Sequence, residues 1–489
     1  MNIYQKRDIF RRRNESNVYR MFFWAILILG GIWLIRSVQS GDIKPLFSPT
    51  PTPTRFALSY ALEGDAKFAA GQLNDFVDAN GKVVNGAITS YDEAAKVDPN
   101  NAKLLANLAR IQTYSSAMLV SEAETKARLA EALASAKKAI ALAPDDSYVQ
   151  CVYAFVLDWN ANPALVGDDT QVQDLLAQAD RAAKRALQLD NTNTLALAFY
   201  AEVLVDQQNW TAAQQNIELA LAADSSLMDV HRVHAAVLES LGEYALAIDA
   251  YDRAIAIDPN LTFLYRRAGA NYRVLAFNSL NEEVQNQLFE KSLEYFAKAA
   301  HINDQLGIKD PAPYLSIAKT YSQMGQFFIA IRNVQKTIEF QPSKAEFYGE
   351  LGVLYHKNRN YETGILAFKC AIDGCTEDES CDGRGGCGNN DVKAKVVGLP
   401  LTSSTVYYYD IYASELAALS TTKNDHCPKA KEVAAQIEAS SFDSDPNIAA
   451  DIVVVRTICS SLGESPSKVS ATATPGAGIT PTATKTAKP

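Results

Sequence analysis

Two tripeptides, Asp98-Pro99-Asn100 and Asp258-Pro259-Asn260, each close a stretch in which small and apolar residues recur at helical spacing. AITSYDEAAKV precedes the first and ALAIDAYDRAIAI the second. Proline has no amide hydrogen with which to continue a helix, so each tripeptide is a stop. A chain punctuated in this way folds as a run of short helices. If the pattern has a fixed period, each unit buries its apolar face only by stacking on its neighbours. Length alone would suggest about three domains for 489 residues, but a solenoid grows without a larger central core.

The clearest unit is Met228–Leu261. Leu241-Gly242-Glu243-Tyr244 closes one helix, and Ala247, Tyr251 and Ala254 stripe the next before Pro259. This unit resembles the tetratricopeptide repeat, a helix–turn–helix with a 34-residue period. The family pattern has a small residue at position 8, Ala at 20, an aromatic at 24, Ala at 27 and Pro at 32. Thr194–Leu227 puts Ala201, Ala213, Ile217 and Ala220 at positions 8, 20, 24 and 27. Pro311–Lys344 supplies Ala318, Ala330 and Pro342, and the unit from Ala345 supplies Gly352, Phe368 and Ala371. Units beginning at Ala57, Ala102, Ser147 and Thr262 carry about eleven to thirteen extra residues between their two helices. Gly364, where Ala is usual, and Asn191, in place of Pro, depart from the pattern. The resemblance implies an all-α fold: a right-handed superhelical solenoid of eight helix–turn–helix repeats, preceded by one transmembrane helix.

The organisation expected around the repeats is as follows. Residues 1–20 form a basic cytoplasmic segment, with Lys6, Arg7, Arg11, Arg12, Arg13 and Arg20. Residues 21–38 form a signal anchor, 39–56 a Thr/Pro-rich linker, and 57–378 the eight repeats. Residues 379–402 form a Cys/Gly-rich loop, 403–462 a degenerate repeat with capping helices, and 463–489 a disordered Thr/Pro-rich tail. Met21–Ile35 is uncharged, and its fifteen residues rise about 22 Å as a helix, short of the roughly 30 Å hydrocarbon core. Arg20 and Arg36 can snorkel, and Trp24 and Trp33 suit the interfaces. The basic excess before the segment keeps the N-terminus cytoplasmic and sends the repeats across the membrane. Cleavage after Val38-Gln39-Ser40 would instead release a secreted protein, a reading disfavoured by the long basic lead and by Arg36. The resemblance is thus to the membrane-anchored bacterial type, resident in the cell envelope.

A net charge of −10 argues against nucleic-acid binding, which needs a clustered positive face. P-loop, His-Glu-x-x-His and Gly-x-Ser-x-Gly motifs are absent from the sequence, and no enzyme, cofactor or metal is expected. His231 and His234 fall at packing positions, and Asp378, Asp382 and Asp391 do not match a calcium loop. The resemblance implies that the first helix of each repeat lines a concave groove through positions 2, 5, 6, 9, 12 and 13. Those positions hold Tyr148, Phe155, Asp158 and Trp159, then Arg232, Arg266, Arg267, Arg273 and Lys319. Aromatic groups beside a basic stretch suit an extended peptide with acidic groups, its identity unknown. The blander reading is a set of solvated charges with no single partner. The family's carboxylate clamp needs Lys at position 5, where this chain has Ala61, Ala106, Cys151, Ala198, Arg232, Arg266, Leu315 and Gly349.

Six late cysteines, Cys370, Cys375, Cys381, Cys387, Cys427 and Cys459, lack zinc spacing, and export would make them disulfides. Cys427–Cys459 is the expected staple of the last helices, with the other four closing the loop that starts in repeat eight. Cys151 is expected to be a free, half-buried thiol. The functional expectation is a non-enzymatic extracytoplasmic scaffold that binds partner proteins or peptides. The alternative is a structural cell-surface protein that self-associates end to end.

Overall fold

The structure, a computed structural model, describes residues 17–40, 55–78, 80–119, 122–388 and 391–462. Most of the basic lead, most of the linker and the whole C-terminal tail lie outside the described residues. The chain divides into two units, Met1–Phe56 and Ala57–Pro489. Among its described residues the first contains one helix, Val18–Gln39, of 22 residues. At 1.5 Å per residue it is about 33 Å long, long enough and apolar enough to cross a membrane. It exceeds the fifteen uncharged residues because Val18–Arg20 and Arg36–Gln39 continue the same helix.

Among the described residues of the second unit, eight helix pairs follow one another in a right-handed solenoid. They are Ala57–Ala69 with Ala87–Val97, Ala102–Ser116 with Glu122–Leu142, Ser147–Asn160 with Asp169–Leu189, and Thr194–Asp206 with Trp210–Ala223. Then come Met228–Ser240 with Tyr244–Ile257, Thr262–Asn278 with Glu282–Leu306, Ala312–Gln323 with Phe327–Phe340, and Ala345–Lys357 with Tyr361–Ile372. Below, the two members of each pair are helix A and helix B. The Asp-Pro-Asn stops act as read: helices end at Val97 and Ile257, and Asn101 caps the next helix by accepting from the Leu104 amide. The extra residues of the long repeats go mainly into helix. Helix B runs to 21 residues in repeats two and three and 25 in repeat six. Among the described residues, only repeat one uses its insertion for a hairpin, Phe76–Val77 against Val83–Val84.

In repeats one, six and eight position 8 packs against position 24. A Cβ on Gly269 would lie 2.7 Å from the Phe296 ring, and one on Gly352 the same distance from Phe368. Gly64 faces Tyr91 in the same way. The departure at Gly364 has its own cause, since a Cβ there would stand 2.7 Å from Glu415 Oε2. Glu415 is buried against His356 Nδ1 at 3.0 Å, and burial pushes its carboxyl up to about 8. His356 is lowered by its own burial, so at neutral pH a protonated Glu415 donates to a neutral imidazole. A folded pKa above the unfolded value means stability is fully present at acid pH and is lost as pH rises toward 8. Above about pH 6.5, where the lowered His356 no longer opposes it, melting temperature should fall toward pH 8 and level off above, and Glu415→Gln should flatten that slope.

Beyond repeat eight the chain forms a cap of helices Glu377–Gly383, Val406–Leu419, Cys427–Glu438 and Pro446–Ser461. Three cysteine pairs are bonded there: Cys370–Cys375, Cys381–Cys387 and Cys427–Cys459. Cys151 is free and fully buried rather than half-buried, with its thiol against the Tyr148 carbonyl.

The solenoid winds tightly enough for its first repeats to touch later ones. Asn260 Nδ2 donates to the Ala69 carbonyl, 191 residues away, at 3.3 Å. Lys344 pairs with Glu124 at 2.8 Å. Gly71 has φ +75° and its missing Cβ would overlap the Asn260 carbonyl, so the close approach requires glycine. Gly71→Ala should cost about 1–3 kcal/mol in denaturant unfolding, through strain and overlap together.

Candidate functional site: the inner face of repeats two to six

Winding brings helix A of repeat two against helices A of repeats five and six, and polar groups from all three meet there. Arg110 forks onto Asp229, with Nε 2.9 Å from Oδ1 and Nη2 on Oδ2. The Tyr114 hydroxyl donates to the same Asp229 Oδ1 and accepts from Arg232 Nε at 3.0 Å. Arg232 then makes a two-pronged pair with Glu202, both contacts at 2.6 Å. The Trp159 indole N–H donates to Glu202 Oε1 at 3.1 Å. Burial works against ionisation of Asp229, but Arg110 and Tyr114 outweigh it and hold the carboxyl below its ordinary range.

Aromatic rings enclose this network. The Arg232 guanidinium lies 5.3 Å from the Tyr114 ring, 5.4 Å from Phe155 and 5.8 Å from Trp159. Tyr114 stacks on Phe263 at 5.4 Å, and Phe155 on Phe199 at 4.4 Å.

This placement corrects part of the sequence reading. Phe155 and Arg232 are interior groups, and Arg232 is committed to Glu202, so neither is free to meet a partner. Tyr148 is half-buried and donates its hydroxyl to Asn107 Oδ1. The physical reason is the tight winding, which converts the middle of the concave face into core. Trp159, Arg266, Arg267, Arg273 and Lys319 keep accessible surface.

Two adjoining cavities open beside the network. The larger, about 800 Å³, is lined by Asp158, Trp159, Glu202, Asp206, Glu239 and Arg267 among others. The second, about 450 Å³, is lined by Arg232, Arg266, Arg267, Arg273, Tyr251 and Phe263 among others. Trp159, Glu202 and Arg267 belong to both. Arg267 is paired with Glu239 and hydrogen-bonded to the Tyr251 hydroxyl. Arg266 donates to the Ala117 carbonyl at 2.7 Å while its Nε has no hydrogen-bond partner among the described residues. Arg273 lies 5.6 Å from the Phe296 ring and 3.4 Å from the Ser316 carbonyl. Burial lowers both Arg266 and Arg273 from the ordinary guanidinium range. Lys319 pairs loosely with Glu350 at 3.5 Å and lines a smaller cavity of about 220 Å³ with Arg273, so the inner face continues to repeat eight.

Glu202, Asp206, Asp229, Arg110 and Tyr114 were not singled out from the sequence. They occupy positions 9, 13, 2, 9 and 13 of their repeats, the same inner positions that yielded Asp158 and Trp159. The signal was present, but acidic residues there read as solvated charge.

Residues 201–262 match the tetratricopeptide repeat family, the stretch spanning most of repeats four and five. The same helix-pair geometry extends on either side of that match, along the helix pairs described above. Among solved structures it is similar to MamA, at 22% identity over 37% of this chain and 97% of that one, with a TM-score of 0.30. It is similar to YrrB, described as a tetratricopeptide repeat protein with an unusual peptide-binding site, at 20% identity, 46% and 97% coverage, and a TM-score of 0.29. The human IFIT1 dimer with PPP-AAAA aligns over 78% of this chain and 79% of that one, at 12% identity and a TM-score of 0.48. These likenesses extend to fold and no further. No curated protein matches the chain.

Proposed function

We propose that this protein is a non-enzymatic scaffold that binds a partner protein or peptide in its inner groove. Helix Val18–Gln39 ties it to a membrane, with the repeats on the extracytoplasmic side. The observation that carries the reading is the pair of adjoining cavities, one lined by carboxylates and one by arginines, floored by a buried ion-pair network. An open cleft with fixed charges of both signs suits an extended segment of another chain better than a small neutral ligand. Arg266 and Arg273 take over the anion-binding role first read for the whole basic stretch. The location outside the cytoplasm is supported by the basic lead before the helix and by three bonded cysteine pairs, which persist in oxidising compartments.

Photo-crosslinking tests the groove. A benzophenone amino acid at Val205, which lines the larger cavity, should yield a discrete adduct in intact membranes. The same probe at Leu219, exposed on helix B of repeat four, should not. Equal adducts from both positions, or adducts from Leu219 alone, would refute groove binding.

A further inference from the structure

The larger cavity has a charge imbalance that the ion-pair network does not explain. Its charged walls come from four helices. Helix A of repeat three supplies Asp158, and helix A of repeat four supplies Glu202 and Asp206. Helix A of repeat five supplies Glu239, with Arg232 adjoining, and helix A of repeat six supplies Arg267. Glu202 is taken by Arg232 and Glu239 by Arg267. Asp158 and Asp206 have no ion pair among the described residues. Asp158, which lines this space, is only 2% exposed, and its buried Oδ1 has no hydrogen-bond partner among the described residues. An unpaired carboxyl in such a place costs free energy unless something arrives to satisfy it. Trp159, which also lines the cavity, offers an indole face suited to a cation.

We propose that this chamber is a subsite for one alkylammonium or guanidinium group, supplied by a lysine or arginine side chain of the bound partner. The inference rests on the groove reading above and adds the chemistry of one of its pockets. Asp158 receives the cation at depth and Asp206 at the mouth, while the neighbouring arginine-lined cavity takes an acidic group of the same segment. Burial, then Asp206 and Glu202, hold the Asp158 carboxyl well above its ordinary range. Asp206, exposed at the mouth, is raised to about 6 by the partial loss of water around it and by Glu202. An arriving cation stabilises the carboxylate form, so the bound proton leaves to solvent as the ion pair forms. Binding therefore releases a proton near neutral pH and weakens as pH falls below 6.

The test uses the full chain in lipid nanodiscs against acetylated hexapeptides randomised at every position, with spermidine as a separate probe. The wild type should enrich lysine and arginine over norleucine by about tenfold, the effect of one charge-assisted contact. Calorimetry with the best peptide, in two buffers of different ionisation enthalpy, should show proton release. Asp158→Asn/Asp206→Asn should lose both the enrichment and the proton release while still binding peptides that carry Glu or Asp. Asp206→Asn alone, a change at the accessible mouth, serves if the double variant does not fold. Peptide binding with no preference for basic residues would overturn the subsite and leave the groove reading intact. Spermidine binding without any peptide binding would overturn the side-chain source. Failure of both probes would overturn the groove reading and the subsite together.

Discussion

Replacing Arg232 with methionine should be among the most damaging single changes in the repeat unit, lowering stability by roughly 3–5 kcal/mol in denaturant unfolding. The guanidinium holds both oxygens of Glu202 at 2.6 Å and accepts three aromatic neighbours, all inside the protein. Removing it leaves the Glu202 carboxyl group buried with only the Trp159 N–H as a remaining partner, and leaves the Tyr114 hydroxyl without its donor. The loss is one of desolvation more than of attraction, so neutralising the orphan should restore much of it. Arg232→Met with Glu202→Gln should recover at least half of the deficit, because glutamine still accepts from Trp159 and carries no charge. A double variant as unstable as the single one would show that the pair contributes by packing alone.

The second large effect lies at the other end of the solenoid. Phe368→Ala should cost about 3–5 kcal/mol. Phe368 is fully buried, with its ring over the Gly352 backbone and beside Tyr408 and Tyr412 at 6.4 and 6.1 Å. Glycine at 352 and the tyrosines of the cap helix are fixed by backbone and disulfide-stapled packing, so the hole has little means of collapsing. The reverse change, Gly352→Leu, should destabilise as well by forcing a side chain into the ring's place. Urea midpoints compared with an exposed control, Leu219→Ala, give the measurement.

Most of the helical framework was legible because its rules are local. Small residues at position 8, large ones at 24 and proline stops place helix pairs from a single strip of sequence, and Gly64, Gly269 and Gly352 sit against rings as that pattern requires. The insertions were placed between the two helices of a repeat, whereas repeats two, three and six use them mainly to lengthen helix B. Apolar spacing in those stretches continues past the point where a standard repeat turns. The groove was less legible. Whether Arg232 faces water or Glu202 depends on the small rotation added by each repeat, accumulated over several units. Contacts such as Arg110 to Asp229 and Arg266 to Ala117 join residues 119 and 149 apart, which no local periodicity reports. Position numbers identified the inner face, and winding decided how much of it stayed open.

The claim that the open part of that face is the working surface is best tested by hydrogen exchange on the full chain in nanodiscs, with and without the partner captured at Val205. The account predicts added protection in helices A of repeats three, four and six, which carry Asp158, Asp206, Arg266 and Arg273. Helices B of repeats four and five, Trp210–Ala223 and Tyr244–Ile257, should be unchanged. Protection confined to those outer helices, or to the disulfide-bonded cap beyond Ile372, would contradict it.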